Sequence, residues 1–116
     1  GERYFSLFIG TQEFQKGNEN KIDFTPKEYK LYQNYPNPFN SKTKIIYHLP
    51  EEGLVKLEVY SILGSKVKTL IDEYHKKGIY EVIFDAKELA SGVYFYRLDI
   101  TGKNNYSFIK KMIYMK

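Results

Sequence analysis

The amino-acid sequence predicts an all-β fold, an antiparallel β-sandwich of about seven strands. Twelve Tyr and eight Phe stand against two Met and no Trp, and aromatic residues suit a pleated, half-buried surface. Apolar and polar residues alternate along several short stretches, and turn signals separate these stretches at spacings of roughly ten to fifteen residues. The length of 116 residues suits a single domain with its own core.

Seven segments carry the strand pattern. The predicted strands span residues 3–9, 43–49, 54–60, 66–71, 79–84, 93–100 and 106–114. The stretch 54–60 alternates well, and alternate residues of a strand point to opposite faces. Val55, Leu57 and Val59 fall on one face of this strand, and Lys56 and Glu58 on the other.

Glycine and polar residues separate the predicted strands. Gly64 lies in a tight turn, where its missing Cβ permits a positive φ. We predict a polar loop over 72–77, one helical or 3₁₀ turn over 85–90 and a hairpin turn over 101–105.

The N-terminal quarter of the chain differs from the rest. Residues 12–29 are polar and include Gly17 and Pro26, which is typical of a linker or long loop. We therefore predict an N-terminal strand and linker over 1–29, belonging to the end of an upstream domain, and a compact β-sandwich module over 30–116. Because the chain starts without Met and shows no signal peptide, we expect a piece of a longer protein whose export signal lies upstream.

Charge and hydropathy argue against a nucleic-acid partner and against a membrane-spanning segment. The net charge of +4 comes almost entirely from lysine, since Arg3 and Arg97 are the only arginines, and nucleic-acid readers favour the arginine fork. The lysines are spread along the chain. This is typical of solvent-exposed strand faces and of sheet edges, where lysine discourages pairing with another strand. Apolar runs fall short of the roughly twenty residues of a membrane helix. We expect no nucleic-acid partner and no membrane-spanning segment.

No constellation for catalysis is visible. There is no Cys, and His48 in a strand and His75 in a polar loop lack metal-ligand partners at close spacing. The acidic pairs at 51–52 and 72–73 fall in turns, where solvated charge is the simpler interpretation. The serines lack a nucleophile elbow, and the glycines lack a phosphate-loop pattern. The sequence predicts no enzyme, no catalytic or metal site and no cofactor.

The least generic stretch is residues 31–40, Leu-Tyr-Gln-Asn-Tyr-Pro-Asn-Pro-Phe-Asn, which we call the arch. Pro36 and Pro38 fix φ and remove two backbone donors, so the arch is predicted to be extended and irregular. Tyr35 and Phe39 are placed to pin it to the sandwich. The arch is a rigid structural connection, a preorganised epitope for a partner, or both.

The arch and several later motifs resemble the type A C-terminal sorting domain of type IX secretion cargo. The typical family opening, LxQNYPNPFNPxTxIxYxLP, is matched by Leu31, residues 33–40, Thr43, Ile45, Tyr47, Leu49 and Pro50. Blocks at 59–64 (VYSILG), 78–80 (GIY) and 89–98 (LASGVYFYRL), and a basic end at 110–116, resemble later family motifs in the same order. Ser41, Ser61 and Ser65 replace a common Pro, Asp and Arg, and the first change is expected to loosen the arch.

The resemblance, over residues 29–116, implies an immunoglobulin-like sandwich that serves as a sorting signal. Family cargo enters the periplasm by a signal peptide, and the outer-membrane translocon recognises the folded tail. A sortase-like peptidase then cuts before the tail and joins the cargo to a surface anchor. The implied partners are the translocon, the peptidase and the upstream cargo of the same chain, and the implied location is secreted or at the cell surface. We expect cleavage within residues 16–30.

The candidate recognition residues lie in three places. They are Asn34, Pro36, Asn37, Pro38, Phe39 and Asn40 of the arch, Ser91 and Gly92 of one turn, and Lys110, Lys111 and Lys116 of the basic end. The plainer interpretation is that Gly64, Gly78 and Gly92 meet turn requirements and that Tyr94 and Tyr96 belong to the core.

Two other functions stay open. The family is related to the immunoglobulin-like domain of flagellar hook-capping proteins, which suggests a structural or interaction module. Such a spacer would sit inside a longer chain, whereas Lys116 resembles a natural end. The many tyrosines also suggest a sugar-binding accessory module of a secreted enzyme. An exposed coplanar row of rings would favour the sugar-binding module, and buried tyrosines would argue against it.

Overall fold

The computed structural model describes residues 3–5, 11–13 and 21–116, with side chains from residue 24 onward. The strands of these residues are β1 Arg3–Phe5, β2 Thr11–Glu13, β3 Lys21–Asp23, β4 Lys30–Leu31, β5 Lys42–Leu49, β6 Gly53–Ser61, β7 Lys66–His75, β8 Gly78–Asp85, β9 Gly92–Thr101 and β10 Asn105–Tyr114. The described part of the chain contains no helix that is long and apolar enough to cross a membrane.

Two four-stranded antiparallel sheets form a sandwich. The strand order is β1-β8-β5-β4 in the first sheet and β10-β9-β6-β7 in the second. Seven strands, β4 to β10, run antiparallel in the two sheets, so the predicted all-β antiparallel sandwich of about seven strands is confirmed. Strands β2 and β3 pair with each other as a separate two-stranded sheet.

The core lies between the two sheets and is built by strict alternation of side chains. In β9, buried and more exposed residues alternate from Tyr94 to Ile100, and β5 and β8 show the same pattern. The largest fully buried side chains are Tyr47, Tyr96, Tyr114, Phe39, Phe84, Ile45, Leu49, Leu57, Leu98, Ile100, Met112 and Val55. Burial of each large apolar side chain contributes roughly 1.5–3 kcal/mol.

Strand β6 confirms the predicted division into two faces. Val55, Leu57 and Val59 are buried in the core. Glu58 lies on the other face, as predicted, but only 6% of it is exposed.

Hydrogen-bond partners on the outer face of the second sheet explain why Glu58 is buried. Its carboxylate accepts hydrogen bonds from the Tyr60 hydroxyl at 2.8 Å, from Lys66 Nζ at 3.2 Å and from the Thr69 hydroxyl at 3.4 Å. These neighbours cover the carboxylate and satisfy it at the same time. A buried charge is tolerated only when it is paired in this way.

Strand β7 is longer than predicted, and His75 is its last residue and not part of a polar loop. The His75 ring is 5% exposed and stacks on Tyr80 of the opposite sheet, with ring centroids 4.2 Å apart. Its Nδ1 lies 3.1 Å from the Tyr47 hydroxyl, and its Nε2 lies 2.8 Å from the Glu73 carboxylate. Both ring nitrogens have hydrogen-bond partners, so the His75 side chain can be buried at the end of β7. Its polarity had predicted a solvent-exposed loop at this position.

The N-terminal segment is more structured than a linker. β1 pairs with β8 along the edge of the first sheet, and the rest of the predicted strand, 6–9, lies outside the described residues. β3 lies within the predicted linker 12–29, β2 overlaps its start, and the two strands pair through Gln12 and Ile22. The division of the chain into an upstream end and a module remains a prediction.

Three of the predicted turns are present, but the polar loop predicted over 72–77 is reduced to residues 76–77, because β7 extends to His75. Gly64 has a φ of 91°, in the left-handed region that its missing Cβ permits. The Leu89 N–H donates to the Ala86 carbonyl at 2.8 Å, which closes a single turn between β8 and β9. The hairpin turn over 101–105 joins β9 to β10.

Candidate functional site

The arch crosses the side of the sandwich where β4 of the first sheet lies beside β10 of the second. It is tied first to β5. The Tyr32 N–H donates to the Ile46 carbonyl at 3.0 Å, and Tyr35 and Lys44 exchange hydrogen bonds of 3.0 and 2.9 Å. The peptide bonds preceding Pro36 and Pro38 are cis. The arch is therefore irregular, as predicted, but it bends over residues 36–38 and is bonded to the sheet along its first half.

Asn34 is the buried polar anchor of the arch. Its Nδ2 donates to the Thr43 hydroxyl at 2.9 Å and to the Pro36 carbonyl at 3.1 Å. Its Oδ1 accepts from Gln33 Nε2 at 2.7 Å, and its backbone N–H donates to the Tyr96 hydroxyl at 2.7 Å. Since Asn34 is 2% exposed, it is a structural residue and not a surface that a partner can touch.

Phe39 is the apolar anchor. It is 2% exposed, and its ring lies 5.1 Å from the ring of Tyr114 and 6.2 Å from that of Phe84. Phe39 also forms an isolated parallel bridge with Tyr114, at the end of β10. Its backbone N–H donates to the Ile113 carbonyl at 2.9 Å, and its carbonyl accepts from the Met115 N–H at 2.8 Å. Phe39 therefore attaches the arch to both sheets.

The remaining candidates of the arch face solvent. Pro36, Asn37, Pro38 and Asn40 are exposed, and so is Tyr35, at 77%. The candidate residues of the arch thus divide into two buried anchors, Asn34 and Phe39, and an exposed crest, and of these candidates only the crest is accessible to a partner.

Ser41 follows the crest in an unusual conformation. Its φ of 86° lies in the left-handed region, and its carbonyl accepts from the Ala86 N–H at 2.7 Å. A proline cannot adopt this φ, because its ring holds φ near −65°. The Ser that replaces the common Pro is thus compatible with this backbone. That it loosens the arch stays a prediction.

The Ser91–Gly92 turn lies at the same end of the sandwich. The Ser91 hydroxyl accepts from the Lys116 N–H at 2.8 Å, and Gly92 is the pairing partner of Tyr114. Gly92 has a φ of 156°, which residues with a Cβ rarely adopt, and Tyr94 and Tyr96 are buried. The plainer interpretation of these residues as turn and core is therefore supported.

The basic end does not form one patch. Lys110 pairs with the buried Tyr96 and lies on the inner side of the edge strand, whereas Lys111 pairs with Phe95 and lies on the outer side. Lys116 lies at the tip, where its Nζ donates to the Leu89 carbonyl at 3.2 Å. An inward-pointing lysine is a common guard of a sheet edge, which is the simplest role for Lys110.

The structure brings Phe39, Ser91, Gly92 and Lys116 together around the end of β10, and it separates Lys110 from them. Sequence reasoning missed Gln33, whose side chain bonds β10. Its position inside the unusual arch was the one signal that pointed to it.

The same end of the second sheet carries exposed apolar side chains that were not singled out. They lie in the β6–β7 turn, where Leu63 is 92% exposed and Ile62 63%, and at Met115. The register places this turn two strands away from the end of β10, since Ser61 pairs with Tyr94.

The histidines and pockets suggest no chemistry. No group of three or more potential metal-ligating side chains occurs in the described part of the chain. Burial, with the nearby Lys30 charge, lowers the pKa of His48, whose ring meets Tyr32 edge-on at 4.9 Å. A concavity at the opposite end is lined by loop residues such as Glu52, Lys76 and Lys103, and lacks a converging set of catalytic groups.

Comparison with known families agrees with the motifs. A family model described as a secretion system C-terminal sorting domain matches residues 33–115, well over half of the chain. Searches among curated proteins and among solved structures gave no match. The chain belongs to the family of type IX secretion C-terminal sorting domains.

Proposed function

We propose that this sorting domain is the non-catalytic export signal of a larger cargo protein. The type IX translocon recognises the folded sandwich and carries the cargo from the periplasm across the outer membrane. A sortase-like peptidase then removes the domain, and a surface anchor replaces it. In this proposal the upstream part of the same chain performs the biological activity, and the domain directs its export.

One observation carries the proposal. The family match begins at Gln33 in the arch and ends at Met115, just after β10. It therefore spans the exposed crest, the Ser91–Gly92 turn and nearly all of the C-terminal end, which the fold assembles around one end of β10. A partner that contacts this end of the sandwich would touch the crest, Ser91 and Lys116 together.

The segment before the arch supports cleavage in the predicted region. Between the end of β3 at Asp23 and the start of β4 at Lys30, the chain forms no strand. Phe24, Lys27 and Glu28 are exposed there. Exposed chain outside regular structure is where proteases act most readily.

The tyrosines argue against a sugar platform. The buried tyrosines among the described residues are Tyr47, Tyr80, Tyr94, Tyr96 and Tyr114. The exposed ones are separated, with Tyr32 and Tyr35 in the arch and Tyr74 on β7 of the other sheet. A structural or interaction module remains the alternative function.

A secretion assay tests the proposal. Residues 16–116 are fused behind a signal peptide and a reporter in a bacterium with type IX machinery. The test variant combines Asn40→Ala, Lys111→Ala and Lys116→Ala, which are exposed positions. The control variant is Lys103→Ala, at the opposite end of the sandwich. We expect surface reporter with the wild type and the control, and periplasmic reporter with the test variant.

Point variants are preferable to truncation. Removal of β10 would take the buried Met112 and Tyr114 out of the core, so loss of export would report unfolding. Circular dichroism of the purified fusion confirms the fold of each variant. Folded wild-type protein retained in the periplasm would contradict the sorting function and favour the interaction module.

A further inference from the structure

Strand β10 is an edge strand of the second sheet, with β9 as its neighbour. The pairing of β10 with β9 is continuous from Asn105 to Tyr114, without a bulge. In such a ladder the backbone groups of alternate residues point to the neighbouring strand, and those of the residues between them point away. One long side of β10 therefore offers free N–H and C=O groups unless something covers them.

The arch covers the second half of this open side. Gln33 Nε2 donates to the Lys111 carbonyl at 2.6 Å, and the Ile113 N–H donates to Asn37 Oδ1 at 2.9 Å. The Phe39 N–H donates to the Ile113 carbonyl at 2.9 Å, and the Met115 N–H donates to the Phe39 carbonyl at 2.8 Å. These four bonds fall on every second residue of β10, as those of a neighbouring strand would.

Two of these four bonds come from side-chain amides, which carry the same donor and acceptor groups as a peptide unit. The arch runs parallel to β10, as its bridge at Phe39 shows, and Tyr29 upstream of it stacks on Tyr106 at 3.9 Å. Pro36 and Pro38 have no N–H, so the arch cannot itself pair fully with a further strand. It satisfies the second half of the open edge of β10 and ends the sheet there.

We propose that the arch is an edge clamp, which takes the place of a neighbouring strand along residues 111–115 and holds the C-terminal end of the chain in one position. The clamp as a structural feature does not depend on the proposed function. Its consequence for sorting does rest on that function, because Lys111 and Lys116 are candidate recognition residues. Gln33 and Asn37 are then positioning residues of the signal. The clamp also closes this half of the edge to pairing with a foreign strand.

Amide hydrogen exchange of the full 116-residue chain, followed by NMR, tests the clamp directly. Ile113 and Met115 are expected to exchange slowly. Ser107 and Ile109 point the same way from β10 without an arch bond in the described structure, so their amides are expected to exchange about tenfold faster or more. Equal exchange at all four amides would overturn the clamp.

Variants of Asn37 make the test specific. Asn37→Ala removes the acceptor, so Ile113 exchange should rise about tenfold, while Met112, whose N–H points to β9, stays unchanged. Asn37→Asp keeps the acceptor oxygen and should restore slow exchange. Asn40→Ala, an exposed crest position outside the four bonds, is the matched control. No change at Ile113 in Asn37→Ala would overturn the clamp.

The reporter assay separates the clamp from the sorting function. Faster exchange together with reduced surface reporter in Asn37→Ala, with both restored by Asn37→Asp, supports the positioning role, because a direct contact made by the Asn37 amide nitrogen would not be restored by a carboxylate. Faster exchange with wild-type export overturns that role and leaves the sorting function intact. If the wild type itself is not exported, the sorting function fails, and the exchange rates still decide whether the clamp exists.

Discussion

The hydroxyl of Tyr96, in the middle of β9, lies 2.7 Å from the backbone nitrogen of Asn34 and accepts its hydrogen bond. The same hydroxyl donates to the Tyr32 carbonyl at 2.7 Å. Tyr96 is fully buried, so no water replaces either partner. One phenol thus joins the second sheet to the arch across 62 positions of sequence.

Tyr96→Phe is expected to lower the free energy of unfolding by about 1–3 kcal/mol, because it leaves the buried Asn34 N–H without an acceptor. Urea unfolding followed by circular dichroism measures the change. Tyr35→Phe removes a hydroxyl from an exposed ring and serves as the control, with an expected change within about 0.5 kcal/mol. Equal effects of both variants would contradict the role of the buried hydroxyl.

The same residue predicts a loss of stability in alkali. Burial raises the pKa of Tyr96 from 10.0 to about 12, although the bond from Asn34 opposes the shift. Because the folded state holds this proton more tightly than the unfolded state, the Tyr96 contribution is complete below pH 10 and is lost as pH rises towards 12. The stability difference between wild type and Tyr96→Phe should therefore shrink over this range. A constant difference would contradict the raised pKa.

Phe39→Ala is expected to cost about 3–5 kcal/mol, since it removes a ring packed between Phe84 and Tyr114. The midpoint of urea unfolding reports the loss. Tyr35→Ala removes an aromatic ring of the same arch that is 77% exposed and should change stability by less than about 1 kcal/mol. Similar costs for the two variants would show that Phe39 is not the anchor.

Glu58 predicts a loss of stability in acid. Burial raises the pKa of Glu58, but hydrogen bonds from Tyr60 and Lys66 and the charges of Lys66 and Lys56 outweigh it, so the net shift is downward from 4.5. The contribution is present above pH 4.5 and is lost as pH falls through the lower, folded-state pKa. Wild type should lose stability in this range more steeply than Glu58→Gln, which does not titrate there.

At neutral pH, Glu58→Gln is expected to cost about 1–2 kcal/mol, because neutral hydrogen bonds replace charged ones. A double-mutant cycle with Lys66→Met measures the coupling to the ammonium group. Zero coupling would mean that Lys66 only covers the carboxylate. If the stability of wild type and that of Glu58→Gln fell equally steeply as the pH decreased, the lowered pKa of Glu58 would be contradicted.

Two neighbouring residues of the β6–β7 turn should behave in opposite ways. Gly64→Ala is expected to cost about 1–2 kcal/mol, because a Cβ is strained at a φ of 91° although no atom lies close to it. Leu63→Ser changes a side chain that is 92% exposed and should alter stability by less than about 0.5 kcal/mol. Thermal unfolding of both variants checks the contrast, and a larger cost for Leu63→Ser would contradict the exposed turn.

The comparison of prediction and structure is clearest in strands β6 and β7. Alternation correctly identified Val55, Leu57 and Val59, because a strand with one face in the core repeats every two residues. It also placed Glu58 on the opposite face, but it did not predict the burial of Glu58 or His75, because Lys66 and Tyr80, which pack against them, lie on other strands. Local hydropathy contains no information on those partners.

Within the candidate site the same distinction holds. The unusual composition of the arch and its resemblance to a sorting-domain opening were visible in the sequence. The sequence could not separate the buried Asn34 and Phe39 from the exposed Asn37 and Asn40. It also could not show that β10, which carries Lys110 and Lys111, is an edge strand.

The sequence by itself determined the approximate positions of the six long strands, β5 to β10, the turn at Gly64 and the family, because alternation, turn preference and motif order are local properties of the chain. The tertiary structure decided which segments meet. Asn37 and Ile113 lie 76 positions apart and touch only because the strand order makes β10 an edge and the arch crosses beside it. Contacts of this kind depend on the order of strands in the sheets, which no stretch of sequence encodes alone.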